Sequence, residues 1–228
     1  DALFGATGAA APEARAAAYA GLGDLAGGDA LPALLEHLAV IDNDTVRKSA
    51  ELAAIDVAKR VGDGAAGKVD AALVTHNGNV TALASYYRVH SALGTAEGLA
   101  AVGAAAKGSD AALQDAAIRA LADWSNPGAI PMLTEIVPAA PSDTLKVIAF
   151  RGLLRQIATP MPRPESETLA LHETALALAP AVDEKKAAIA ALAKVRDPRV
   201  YDVAKAYLAD ETFKADAEFV VNALDKVK

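Results

Sequence analysis

A tandem repeat constrains this chain more than any other feature. The segment AIRALADWSNPGAIPML (residues 117–133) has a second copy 99 residues upstream. Tyr19 falls on Ile118, Leu22 on Leu121, Asp24 on Asp123, Leu25 on Trp124, Leu31 on Ile130 and Pro32 on Pro131. A third copy lies 71 residues downstream, with Ile189, Leu192, Val195 and Pro198 on Ile118, Leu121, Trp124 and Pro127. Weaker copies place Ile55, Tyr87 and Phe150 in the Ile118 column, and Val61 and Leu93 in the Trp124 column. Neighbouring copies are spaced by roughly 31–36 residues, a period used by stacked helical pairs.

Each copy reads as helix, short turn, helix. In the clearest one, Ser109-Asp110 supplies a helix N-cap. Ala117, Ile118 and Leu121 form an apolar stripe at helical spacing, and Ser125-Asn126-Pro127-Gly128 breaks it. Pro131 falls in the first turn of the second helix, where its missing N–H costs little. Asp44, Ser142-Asp143 and Asp183 mark similar starts. The composition agrees with this reading. Aromatic residues are 4% of the chain, and alanine, the best helix former, is abundant. One helix pair cannot bury its apolar face alone, whereas stacked pairs share a continuous core.

These features predict an all-α chain folded as one domain over residues 1–228. The expected form is an α-solenoid, a right-handed superhelix of about six helix pairs plus a C-terminal helix. The pairs fall at about 12–40, 44–76, 79–108, 110–140, 142–180 and 183–210, with a closing helix at 212–227. Trp124, the single tryptophan, then reads as a packed residue at the turn between two helices rather than as a ligand-stacking ring.

The motif Asp44-Thr45-Val46-Arg47-Lys48-Ser49-Ala50 resembles the Asp-x-x-Val-Arg-x-x-Ala start of HEAT-like (armadillo-type) repeats, and Asp197-Pro198-Arg199-Val200 resembles their inter-helix turn. A narrower similarity joins AIRALADWSNPGAIPMLTEI and SDTLKVIAFRGLLRQI to HEAT-like segments of secreted bacterial proteins that also carry a 3-keto-disaccharide hydrolase-type domain. That resemblance implies a secreted or periplasmic bacterial setting and a catalytic domain outside these 228 residues.

Net charge is −7 and the pI is about 5.1, which argues against a nucleic-acid partner, whose footprint is a basic face. With no cysteine there are no disulfides, thiolate metal sites or cysteine nucleophiles. No apolar run approaches the length of a membrane span. Asp1 is followed by neither a basic start nor an apolar leader, so any signal peptide is expected to be already removed or never to have existed. No P-loop, dinucleotide fingerprint or nucleophile elbow occurs. His172-Glu173 is the single His-Glu dipeptide, too few for a metal-holding HEAT-like hydroxylase, and His37, His76, His90 and His172 read as satisfied or solvated side chains. The expectation is therefore no enzyme, no cofactor and no metal site. A HEAT-like nucleic-acid repair enzyme and a pigment lyase find no support in the residues.

Arg88, Arg119 and Arg151 share one position in three consecutive copies and are expected to stack as a column able to meet carboxylates. The alternative is a solvated helix face, with Asp115 and Asp123 four residues either side of Arg119. Arg88 instead has Ala84 and Ala92 at those spacings. With Tyr86, Tyr87 and His90 it makes its helix the richest in interface-type residues. The expected partner-binding set is Arg88, Arg119, Arg151, Tyr86 and Tyr87. The proline-rich segment 159–165 is an extended loop, a spacer or a partner contact. Asn43-Asp44-Thr45 and Asn79-Val80-Thr81 match a glycosylation pattern that matters only in a eukaryotic secretory pathway. The function expected is a non-catalytic scaffold for a protein partner or a neighbouring domain. The alternative is an accessory module of a secreted carbohydrate-processing protein.

Overall fold

The computed structural model describes residues 2–225. Among them every regular element is helical, and the chain divides into two compact units between Ser125 and Asn126. That division falls inside the fourth predicted pair.

The first unit contains α1 (Ala2–Ala6), α2 (Pro12–Leu25), α3 (Leu31–Leu38), α4 (Asp44–Val61), α5 (Ala65–Thr75), α6 (Val80–Leu93), α7 (Ala96–Ala106) and α8 (Ala111–Ala122). Helices α2, α4, α6 and α8 pack side by side as one layer, and α3, α5 and α7 form a second layer against them. The predicted pairs 12–40, 44–76 and 79–108 are thus α2/α3, α4/α5 and α6/α7, and α1 is an addition that packs on α2.

Local chemistry explains the helix ends. Asn43 caps α4, its Oδ1 accepting from the Val46 N–H at 3.1 Å, and Asn79 does the same for α6 through the Ala82 N–H. Both asparagines of the glycosylation-like triplets are therefore helix caps, and Asn79 also donates to the Ala39 carbonyl. Asp110 caps α8 as expected. Helix α6 stops at Gly94, whose φ of 68° is left-handed and whose N–H bonds back to the His90 carbonyl.

Packing follows the alanine-rich composition. In α3, Leu31, Leu34, Leu35 and Leu38 form a buried stripe, each contributing roughly 1.5–3 kcal/mol. Ala50, Ala53, Ala54 and Ala58 bury one side of α4. A Cβ on Gly23 would sit 3.2 Å from the Ala53 Cα, so the missing side chain is what lets α2 lie this close to α4.

The second unit contains α9 (Ile130–Ala139), α10 (Asp143–Ile157), α11 (Glu165–Leu178), α12 (Val182–Ala191), α13 (Val200–Lys205) and α14 (Lys214–Asp225). Helix α9 packs on α10 and α11, α10 on α12, and α14 on α12 and α13, again as two layers. Leu145, Ala149, Phe150, Leu153 and Ile157 form the buried stripe of α10, which Ser142 caps. Asp183 is no cap: α12 begins one residue earlier and has no side-chain cap. The closing helix begins at Lys214, and positions 226–227 of its predicted span lie outside the described residues.

Candidate functional site

Consecutive helices of the first layer present one face of α4, α6 and α8 to a shared groove. Arg47, Lys48, Glu51, Leu52 and Ile55 recur at helical spacing on α4 and line a cavity of about 630 Å³ together with Ala84 and Arg88 of α6. A second cavity of about 440 Å³ lies between Ile55, Arg88, Arg119 and Asp123. Ile55 and Arg88 belong to both, so the two cavities are parts of one groove. The small side chains of Ala84 and Ala92 leave the space that a longer residue would fill.

Charge in this groove is positioned by buried carboxylate. Glu51 is 8% exposed at its side chain and accepts at Oε1 from Arg88 Nη1 at 2.5 Å and from Ser85 Oγ at 2.6 Å. Arg88 is 53% exposed, so its guanidinium is held from below while its outer edge reaches solvent. Charge-assisted bonds of this kind fix orientation as well as adding attraction. Arg119 forms two bonds to Asp115 one turn back, at 2.6 and 3.1 Å, and is half exposed. Lys48 has no intrachain partner among the described residues, and Leu52 is 55% exposed. The groove therefore sets Lys48, Arg88 and Arg119 over an apolar floor, with Asp44 and Asp123 as carboxylates on its walls.

The arginines of the predicted column divide. Arg88 and Arg119 line the same cavity. Arg151 lies in the second unit on α10 and donates through Nε and Nη2 to Glu184 Oε1 at 3.1 and 2.7 Å. Tyr86 and Tyr87 are both buried, which takes them out of the surface assigned to them from the sequence. The Tyr86 hydroxyl donates to the Leu35 carbonyl at 2.8 Å, tying the two layers together, and burial raises the pKa of both phenols.

Trp124 is 3% exposed, as its reading as a packed residue requires, although Leu25 of the same column is 78% exposed. The histidines differ from one another. Tyr19 Oη lies 2.9 Å from His37 Nδ1, and His76 Nε2 lies 3.1 Å from Glu36 Oε2. His90 and His172 are buried, each with an Nδ1 that lacks a hydrogen-bond partner. Among the described residues no group of three or more His, Asp or Glu side chains is arranged to hold a metal ion. No helix there is long and apolar enough to cross a membrane.

Sequence reasoning missed Glu51 and Glu184 because each meets its arginine across more than thirty residues, beyond the i,i+4 window in which ion pairs can be read from a helix. Compared with known families and with curated proteins, the chain matches no family model and no curated protein.

Proposed function

We propose that the chain is a HEAT-like α-solenoid, a right-handed superhelix of about six helix pairs with a closing helix. In this reading it acts as a non-catalytic scaffold that binds a protein partner or a neighbouring domain along the groove of α4, α6 and α8. The observation that carries the reading is Arg88, buttressed by the buried Glu51 and sharing one cavity with Arg119. A guanidinium held in place before binding loses less freedom on contact, which favours arginine as an interface anchor. The complementary segment carries carboxylates spaced to meet Arg88, Arg119 and Lys48, with an apolar residue against Leu52.

The test is capture of partners from the native organism's extract by the purified chain, compared with the Arg88→Gln/Arg119→Gln variant. Glutamine is used because glutamate at position 88 would face Glu51. One protein retained by the wild-type chain and by Arg151→Gln, with at least tenfold loss in the double variant and unchanged helicity, is the expected result. Equal capture by the double variant would remove the groove from consideration.

A further inference from the structure

Helix α14 shows solvent a face that combines charge with one large aromatic ring. Ala217 and Val220 point inward and are buried where α14 packs on α12 and α13. Glu218, Asn222 and Asp225 are exposed on the other side, and Phe219 is 57% exposed. A single exposed ring would need no explanation, but the charges around it are ordered. Lys214, Glu218 and Asp225 follow at spacings of four and seven, which makes one stripe with Phe219 on its flank. From Lys214 to Asp225 the helix rises roughly 16 Å.

The groove of the first unit carries the complementary order over the same length. On α4, Asp44 is followed four residues on by Lys48, eight on by Leu52 and eleven on by Ile55. Arg88 shares both cavities with Ile55, and Arg119 joins them at that end. Laid parallel to α4, α14 sets Lys214 on Asp44, Glu218 on Lys48 and Phe219 toward the half-exposed Leu52. Asp225 then reaches the end where Arg88 and Arg119 converge. The reverse direction would put Lys214 on those arginines and Asp225 on Asp44. A helix also suits the floor better than an extended chain does. Among the described residues no Asn or Gln lines either cavity to pair with a foreign backbone, and a helix satisfies its own.

Two charges oppose the fit. Asp123 shares the arginine end with Asp225, and Lys214 must exchange its solvated pair with Glu211, now at 3.3 Å. The contact is therefore a weak one. We infer that the groove of one copy receives α14 of a second copy, so that the chain associates head to tail. This rests on the groove being the binding surface proposed above and names the chain itself as an occupant.

The experiment is sedimentation equilibrium of the full chain at low salt, at rising concentrations up to about 1 mM. A mean mass above the monomer that rises with concentration is expected. Arg88→Gln/Arg119→Gln damages the groove and leaves α14 intact, and Glu218→Arg/Phe219→Ser does the reverse. All four side chains are exposed, so both variants should keep the wild-type helicity. Each variant alone should associate at least tenfold more weakly. Their equimolar mixture should regain association and stop at a one-to-one dimer, because one intact groove then meets one intact helix. Undiminished association of either variant, or a mixture no tighter than its components, would overturn the pairing. Wild type that stays monomeric throughout would overturn the inference. It would leave the groove itself standing if Arg88→Gln/Arg119→Gln still loses capture of a different protein.

Discussion

Each unit buries one histidine whose Nδ1 has no partner, and the two are built in opposite ways. His90, on α6, has no room beside it: a Cβ placed on Gly98 would lie 2.5 Å from its Nδ1. Its neighbouring charge is the Asp70 carboxylate, 3.1 Å from Nε2. His172, on α11, borders open space and faces the cation Arg163. An unpartnered ring nitrogen in a closed core is a packing cost that the surroundings tolerate. In His172 the same atom is equally sealed from water, but another part of the ring borders a cavity. The difference separates a ring held on every side from one with space against part of its surface.

Acid should expose this contrast most strongly. Burial lowers both histidine pKa values, but Asp70 opposes the fall at His90, whereas Arg163 adds to it at His172. A ring with a folded-state pKa below its unfolded value of about 6.5 binds its proton more readily in the unfolded chain. Its stabilisation is complete above that pH and is lost as pH falls toward the folded value. For His172 the window runs from about 6.5 down to about 4, a loss of about 3 kcal/mol. His90 adds to the loss in the same direction. Asp197, held near 2 by hydrogen bonds from Arg199, loses its contribution only below about pH 4, outside the window. Urea unfolding of wild type and His172→Gln at pH 7, 5.5 and 4 measures the slope. If the slope is as steep in the variant, His172 is not its source.

Gly98→Ala is the next largest effect and tests the closed side of the comparison. The added methyl must displace a fully buried ring, which costs about 2 kcal/mol by analogy with other overpacked cores. A lowered denaturation midpoint is expected, with partial recovery when His90→Ser is combined with Gly98→Ala, since contacting sites couple. Full stability in Gly98→Ala would mean that the ring has somewhere to move.

Much of this arrangement can be read from the repeat, including the burial of Tyr86 and Tyr87. The register puts Tyr87 in the column of Ile118 and Tyr86 in that of Ala117, and both reference positions are buried. Treating the tyrosines as interface residues gave their chemistry more weight than their register. Leu169, His172 and Leu176 are spaced three and four apart, so the burial of His172 also follows from helical periodicity. The cavity beside it does not, because a proline loop and a 3-10 turn distant in sequence build its walls. The failure of Leu25 to follow Trp124 into the core has a similar origin. A repeat predicts equivalent backbone positions, while burial depends on what covers each copy. Asn43 and Asn79 were legible as caps, since each immediately precedes a periodic helix.

The smallest effect concerns the two buried glutamates that anchor column arginines. Glu51 serves two donors, Ser85 and Arg88, whereas Glu184 serves the single guanidinium of Arg151. Glu51 lies on the layer helix preceding its arginine and Glu184 on the one following, so the pairs are not copies of one repeat feature. Both arginines are more than half exposed and regain water when the carboxylate is neutralised, so neither change strands a buried cation. Glu51→Gln should cost about 1–2 kcal/mol, because one neutral amide oxygen then serves both the buried Ser85 hydroxyl and Arg88, and the charge that strengthened both bonds is gone. Glu184→Gln should cost less than about 1 kcal/mol, near the range of exposed pairs. Chemical denaturation of both variants ranks them. Equal costs would make Glu51 an ordinary buried ion-pair partner, and partner capture by Glu51→Gln then decides whether holding Arg88 still matters for binding. Undiminished capture would show that Arg88 needs no buttress, and loss of capture with little loss of stability would assign Glu51 to positioning.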